Sequence, residues 1–235
     1  PLEAKIQAQD VYTGTKLACL EMIKTGTVFF NDMYWHLPAT AQAVEEMGLR
    51  AALSSVFIDF NDLATAEKRW EECQDLFSRA RHFSSRISFA LGPHAIYSVS
   101  RESLSRVRDF AHKHDLKIHL HVSETAKEVE DCLNKNGCRP IHYLDSLGLL
   151  GPNLIACHAI WLSADEMDVL AEKGVTVVHN PVSNLKLGSG IFPYKALQER
   201  GVRIVLGTDG CSSNNNLDML ETMKFASLLA KGSAS

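Results

Sequence analysis

No CxxC pair occurs anywhere in this sequence, and its six cysteines (Cys19, Cys73, Cys132, Cys138, Cys157, Cys211) are scattered along 235 residues. That spacing excludes a zinc-finger reading and fits reduced thiols better than a disulfide framework. No glycine-rich phosphate loop follows a predicted strand, which weakens the dinucleotide-binding alternative. A basic excess is missing too: 24 Lys and Arg against 28 Asp and Glu leave a formal net charge of -4. There is thus no electrostatic footprint for nucleic acid or an anionic membrane, and the expected partner is a small molecule. No apolar run is long enough to span a bilayer and no signal-peptide pattern is visible, so the default expectation is a cytoplasmic protein. Whether it forms a homo-oligomer stays open.

What is present is a repeating unit of short apolar strand, loop and helix. Predicted strands at 27–30, 51–58, 87–91, 117–122, 154–157, 175–178 and 202–206 alternate with helical patterns, many of them stopped by glycine (Gly48, Gly174, Gly201). Strands apolar on both faces with helical crossovers belong to a parallel sheet, and seven such units point to an α/β fold of the (β/α) barrel type, a TIM-type barrel. The barrel domain is expected over residues 1–231, with 232–235 (Gly-Ser-Ala-Ser) a disordered tail.

In such a barrel the reactive residues sit at the carboxyl ends of the strands. Those ends carry Asp32, His94, His121 with Glu124, His158, His179 and Asp209. A lone histidine there would more often be a hydrogen-bonded core residue, but four at successive strand ends, with an aspartate, converge on one mouth. Imidazole nitrogens and a carboxylate there suit a divalent metal such as zinc.

The stretches His121-Val122-Ser123-Glu124-Thr125, Cys157-His158-Ala159, His179-Asn180-Pro181-Val182-Ser183-Asn184-Leu185-Lys186-Leu187-Gly188 and Leu206-Gly207-Thr208-Asp209-Gly210 resemble the amidohydrolase superfamily. Within it they are most similar to the branch of methylthioadenosine/S-adenosylhomocysteine deaminases and related chlorohydrolases. The resemblance implies a metal-dependent hydrolase acting on an adenine-type nucleoside. Chlorohydrolase or guanine-type deaminase chemistry and a catalytically inactive barrel are the alternatives. It further implies His121 and Asp209 as ligands of one divalent metal (zinc, or iron), with Asp209 also taking a proton from water. Glu124 would shuttle that proton to the substrate ring, His158 would polarise the attacking oxygen, and His94 and, more weakly, Arg86 would contact the substrate. His179, Asn184 and Asn214 would support the surrounding shell. A bridging lysine or glutamate is missing from the stretch Arg86 to His94 around the strand at 87–91, which favours one metal over two. Two family features are also missing: no His-x-His pair precedes Gly26, and no flanking β-domain is visible. The expectation is therefore an incomplete barrel whose first and last strands face each other unpaired, with a weakly liganded metal site.

Overall fold

The computed structural model describes residues 3–232, so residues 233–235 of the expected tail lie outside the described residues. Seven strands form one sheet: β1 (Phe29–Asp32), β2 (Arg50–Phe57), β3 (Ile87–Pro93), β4 (Ile118–Val122), β5 (Leu154–His158), β6 (Thr176–His179) and β7 (Arg203–Leu206). All are parallel and each pairs with the next in chain order. Helix α1 (Ala8–Lys24) precedes β1, and α2 (Leu37–Met47), α3 (Leu63–Ala80) and α4 (Arg101–His114) make the next three crossovers. Two helices, α5 (Ala126–Asn136) and α6 (Pro140–Ser146), join β4 to β5, and α7 (Ala164–Glu172) joins β5 to β6. Then come α8 (Pro181–Lys186), α9 (Tyr194–Glu199), α10 (Cys211–Asn214) and α11 (Met219–Gly232). This is the expected TIM-type barrel, and it is incomplete, because β1 and β7 are the two edges of the sheet and do not pair with each other.

Local chemistry explains the elements. Asp62, Ser100 and Thr125 each cap the helix that follows by accepting a backbone N–H, and Gly48 and Gly137 end α2 and α5 in the left-handed conformation. Several boundaries shift by a residue or two, and two short helices are additional to expectation. The first strand runs over Phe29–Asp32 rather than 27–30, because its register is set by pairing with Arg50–Leu53. Helices α8 and α10 were not expected; Pro181 sits at the start of α8, where a missing N–H costs nothing.

Alternate strand residues face the helices and form the main core, including Leu91, Ile118, Leu120, Val122, Leu154 and Val177. A second cluster lies beneath α1 and α2, around Cys19, Leu53 and Ile87. On the helix side of the unpaired edges, the approach to α11 nonetheless touches α1. Leu217 packs with Cys19 and Met22, its N–H donates to Glu21 Oε1 at 3.0 Å, and its carbonyl accepts from Thr25 Oγ1 at 3.4 Å. Among the described residues no helix is long and apolar enough to cross a membrane.

Candidate active site

Helix-facing Ile118, Leu120 and Val122 leave His119 and His121 on the opposite, inner face of β4, their rings 5.6 Å apart. His121 Nδ1 lies 2.7 Å from the His94 carbonyl oxygen, to which it can only donate, so the lone pair is on Nε2. The His94 ring, 5.1 Å from that of His121, sits just past β3. Its Nδ1 is 2.8 Å from Ser98 Oγ, which also lies 3.2 Å from the Ala95 carbonyl oxygen.

Alternation alone would turn His158 outward with Leu154 and Ala156. Instead His158 and Ala159 take left-handed backbone angles (φ 70° and 46°), and the His158 ring stacks 5.5 Å from that of His121. Asn184 Oδ1, on α8, receives His158 Nδ1–H at 2.8 Å, leaving Nε2 with its lone pair 3.8 Å from Glu124 Oε2. The other carboxylate oxygen of Glu124 accepts from Ser189 Oγ at 3.0 Å. Asp209, also left-handed (φ 61°), accepts from Ser183 Oγ at 2.6 Å and from the Gly210 N–H at 2.7 Å. Burial opposes its charge, but these hydrogen bonds and His158 outweigh it and hold the carboxyl below its usual range.

Burial pushes His119 down to about 3 and His121 to about 4, with the other histidines adding and Asp209 opposing. Neutral imidazoles around an ionised carboxylate result. Such a donor set fits a divalent cation in kind: His121 and His158 each present a free Nε2, and Asp209 is anionic. Among the described residues no three His, Cys, Asp or Glu side chains already form a metal cluster.

The structure thus brings Glu124, His158, His121, His94 and Asp209 to one mouth, and leaves Arg86 elsewhere. Arg86 precedes Ile87 at the amino end of β3, the opposite end of the barrel, where its Nη2 donates to the Glu45 carbonyl at 3.2 Å. A strand's direction separates its two ends, so Arg86 cannot share a substrate with His94. Asp32 is also apart: its electrostatic neighbours are Cys19 and Tyr34, and burial pushes its carboxyl up to about 6. His179 alternates with inward Val178, stacks 4.2 Å from Phe192, and is pushed down to about 4 by burial. Asn214 donates to the Thr208 carbonyl at 2.7 Å, next to Asp209. Sequence reading missed Ser183 and Ser189, which lie inside or just past a quoted motif without any spacing of their own. It also missed Asn31, whose side-chain amide is 2.8 Å from His119 Nδ1.

The sequence profile of the amidohydrolase family matches residues 2–235. The chain is 50% identical to 5'-deoxyadenosine deaminase of Methanoregula boonei, over 98% of this chain and 53% of that protein. It is 46% identical to 5-methylthioadenosine/S-adenosylhomocysteine deaminase 1 of Archaeoglobus fulgidus, over 98% and 54%. The chain therefore spans about half the length of the curated relatives it matches. Among solved structures it superposes on an adenosine deaminase from Xanthomonas campestris with bound zinc, with a TM-score of 0.93, 41% identity, and coverage of 98% and 53%. Guanine deaminase from C. acetobutylicum shares the fold at a TM-score of 0.88 and 21% identity, covering 97% of this chain and 57% of that one. With the profile matched along nearly its whole length, and with strand-end histidines and carboxylates gathered at one barrel mouth, this chain belongs to the amidohydrolase family.

Proposed function

We propose that this chain forms the catalytic barrel of a metal-dependent aminohydrolase that deaminates the adenine ring of a 5'-modified adenosine-type nucleoside. The observation that carries the reading is the Glu124 carboxylate, tethered by Ser189 on one oxygen and facing His158 Nε2 with the other, beside ionised Asp209. His121 and Asp209 would hold the divalent ion, zinc being the leading choice. When bound, the ion supplies a water activated for attack at neutral pH.

The protein's own groups then carry the protons. As the water oxygen adds to the ring carbon bearing the amino group, Glu124 moves one water proton to the adjacent ring nitrogen. Asp209 accepts the second and passes it to the departing amine, so that the C–N bond breaks and ammonia leaves. His158 Nε2–H cannot form while Nδ1 donates to Asn184 and the ring is neutral, so His158 acts as an acceptor that orients the attacking oxygen. His94, whose ring lies 5.1 Å from that of His121 at the same mouth, would contact the ribose of the nucleoside.

The test is ammonia release by the zinc-loaded full-length protein with 5'-deoxyadenosine, methylthioadenosine, S-adenosylhomocysteine, guanine and a chlorotriazine. Adenine-ring substrates should lead. Glu124→Gln should lower their turnover by roughly two to four orders of magnitude with the melting temperature and metal content retained. Near-wild-type turnover in that variant, or chloride release as the main activity, would overturn the reading.

A further inference from the structure

Four residues beyond Glu124 lies a second glutamate that the mechanism above does not use. Glu128 is 5% exposed, and its carboxylate accepts the Ser123 N–H at 2.9 Å and the Glu124 N–H at 2.8 Å. Its own N–H is capped by Thr125 Oγ1 at 3.1 Å. The pattern Thr-x-x-Glu is that of a capping box, in which the glutamate ordinarily returns to the N–H of the capping residue. Here its two short bonds go one and two residues further back, to the peptide units that carry Glu124.

Those peptide units need holding. Ser123 has a left-handed φ of 51°, a strained conformation for a non-glycine residue. On the other side, the Ser123 carbonyl accepts from Ile160 N–H at 3.0 Å and Trp161 N–H at 2.9 Å, so the segment is pinned from both faces. No Lys or Arg pairs with Glu128 among the described residues, although a buried carboxylate lacking a counter-charge is costly. Burial is the main reason its carboxyl is pushed up to about 7. A cap alone would not require that cost, since the Thr125 hydroxyl already caps α5. A carboxylate does offer two acceptor oxygens to two successive N–H groups, which a glutamine cannot do without turning an N–H donor toward another donor.

We propose that Glu128 is a positioning residue for Glu124, fixing the backbone from which the proton-carrying carboxylate reaches the mouth. The proposal rests on the reading of Glu124 as the proton carrier. A displacement of that carboxylate by about 1 Å is enough to cost roughly a hundredfold in rate.

The experiment is a double-mutant cycle in the full-length, metal-loaded protein with the best nucleoside substrate, measuring kcat, KM and melting temperature. Glu128→Gln should lower kcat by about ten- to a hundredfold with KM within about twofold. In the Glu124→Gln background the same change should alter kcat by less than about twofold, because the group through which it acts is gone. An equal loss in both backgrounds would show a merely structural effect and overturn the proposal, as would wild-type kcat in Glu128→Gln while Glu124→Gln is slow. If Glu124→Gln is itself fast, the proton-carrier reading fails first and the cycle shows it. Should Glu128→Gln not fold, Glu128→Asp, which keeps the charge but falls one methylene short, enters the same cycle with the same criteria.

Discussion

Glu124 is held through its side chain as well as its backbone, and the Ser189 hydroxyl is the side-chain tether. Ser189 is itself fixed: its carbonyl accepts Trp161 Nε1–H at 2.6 Å and its N–H donates to the Asn184 carbonyl at 2.9 Å. A hydrogen bond to a charged group is worth about 1.5–3 kcal/mol, and each 1.4 kcal/mol is tenfold in rate. Ser189→Ala should therefore lower kcat by about tenfold or more with KM little changed. Steady-state kinetics on the nucleoside substrate check this, and an unaltered kcat would mean that the tether does not bear on turnover. At this scale the sequence made Glu124, His121, His158 and Asp209 visible because imidazole and carboxylate at strand ends are unusual enough to notice. Ser189, Ser183 and Asn31 were hidden, since serine and asparagine in loops and strand ends carry no pattern that separates a tether from a turn. Glu128 was legible in principle from the Thr-x-x-Glu spacing, but that spacing predicts a cap, not a clamp on the preceding loop.

The elements owe their spacing to small residues as much as to large ones. A Cβ on Gly207, just past β7, would stand 2.4 Å from Asn180 Oδ1 and 3.0 Å from Val178 Cγ1. The clash involves side chains of β6 and the residue after it, while the Gly207 N–H donates to the His179 carbonyl at 3.0 Å. Gly207→Ala must then push the end of β7 from β6 or displace Asn180, an overpacking that typically costs about 1–3 kcal/mol. Denaturant unfolding should show that loss, together with reduced turnover because Asp209 follows two residues later; unchanged stability would mean the strand ends yield freely. The strands and helices themselves were readable from apolar periodicity and glycine stops, apart from shifts at boundaries and the short α8 and α10. The turns at the strand ends were not. His158 joins the site because its φ departs from the strand, and strict alternation would have placed it on the helix side.

For the whole molecule, the buried titratable groups predict how stability depends on pH. His119, His121 and His179 are pushed by burial from about 6.5 down to about 3, 4 and 4, so the unfolded chain binds more protons than the folded one between about pH 4 and 6.5. Their contribution rises with pH across that window. Glu128 and Asp32, pushed up to about 7 and about 6, act oppositely, because the folded chain retains protons the unfolded chain releases. Three displaced histidines outweigh two displaced acids of comparable shift. The urea midpoint of the metal-free protein should therefore be higher at pH 6.5 than at pH 4.5, and His179→Phe should flatten the rise; a midpoint that falls over this interval would contradict the balance. The contact that joins the two rims of the sheet has a different consequence, one of timing. Glu21 and Thr25 meet Leu217 across separations of 196 and 192 residues, nearly the full described chain, so they close a very long loop. Loop-closure entropy places such a contact late in folding, after the neighbouring strand–helix units have formed locally. The seam between α1 and the approach to α11 should then be among the first places to part when the protein opens, with hydrogen exchange at the Leu217 amide faster than at the central strand β4.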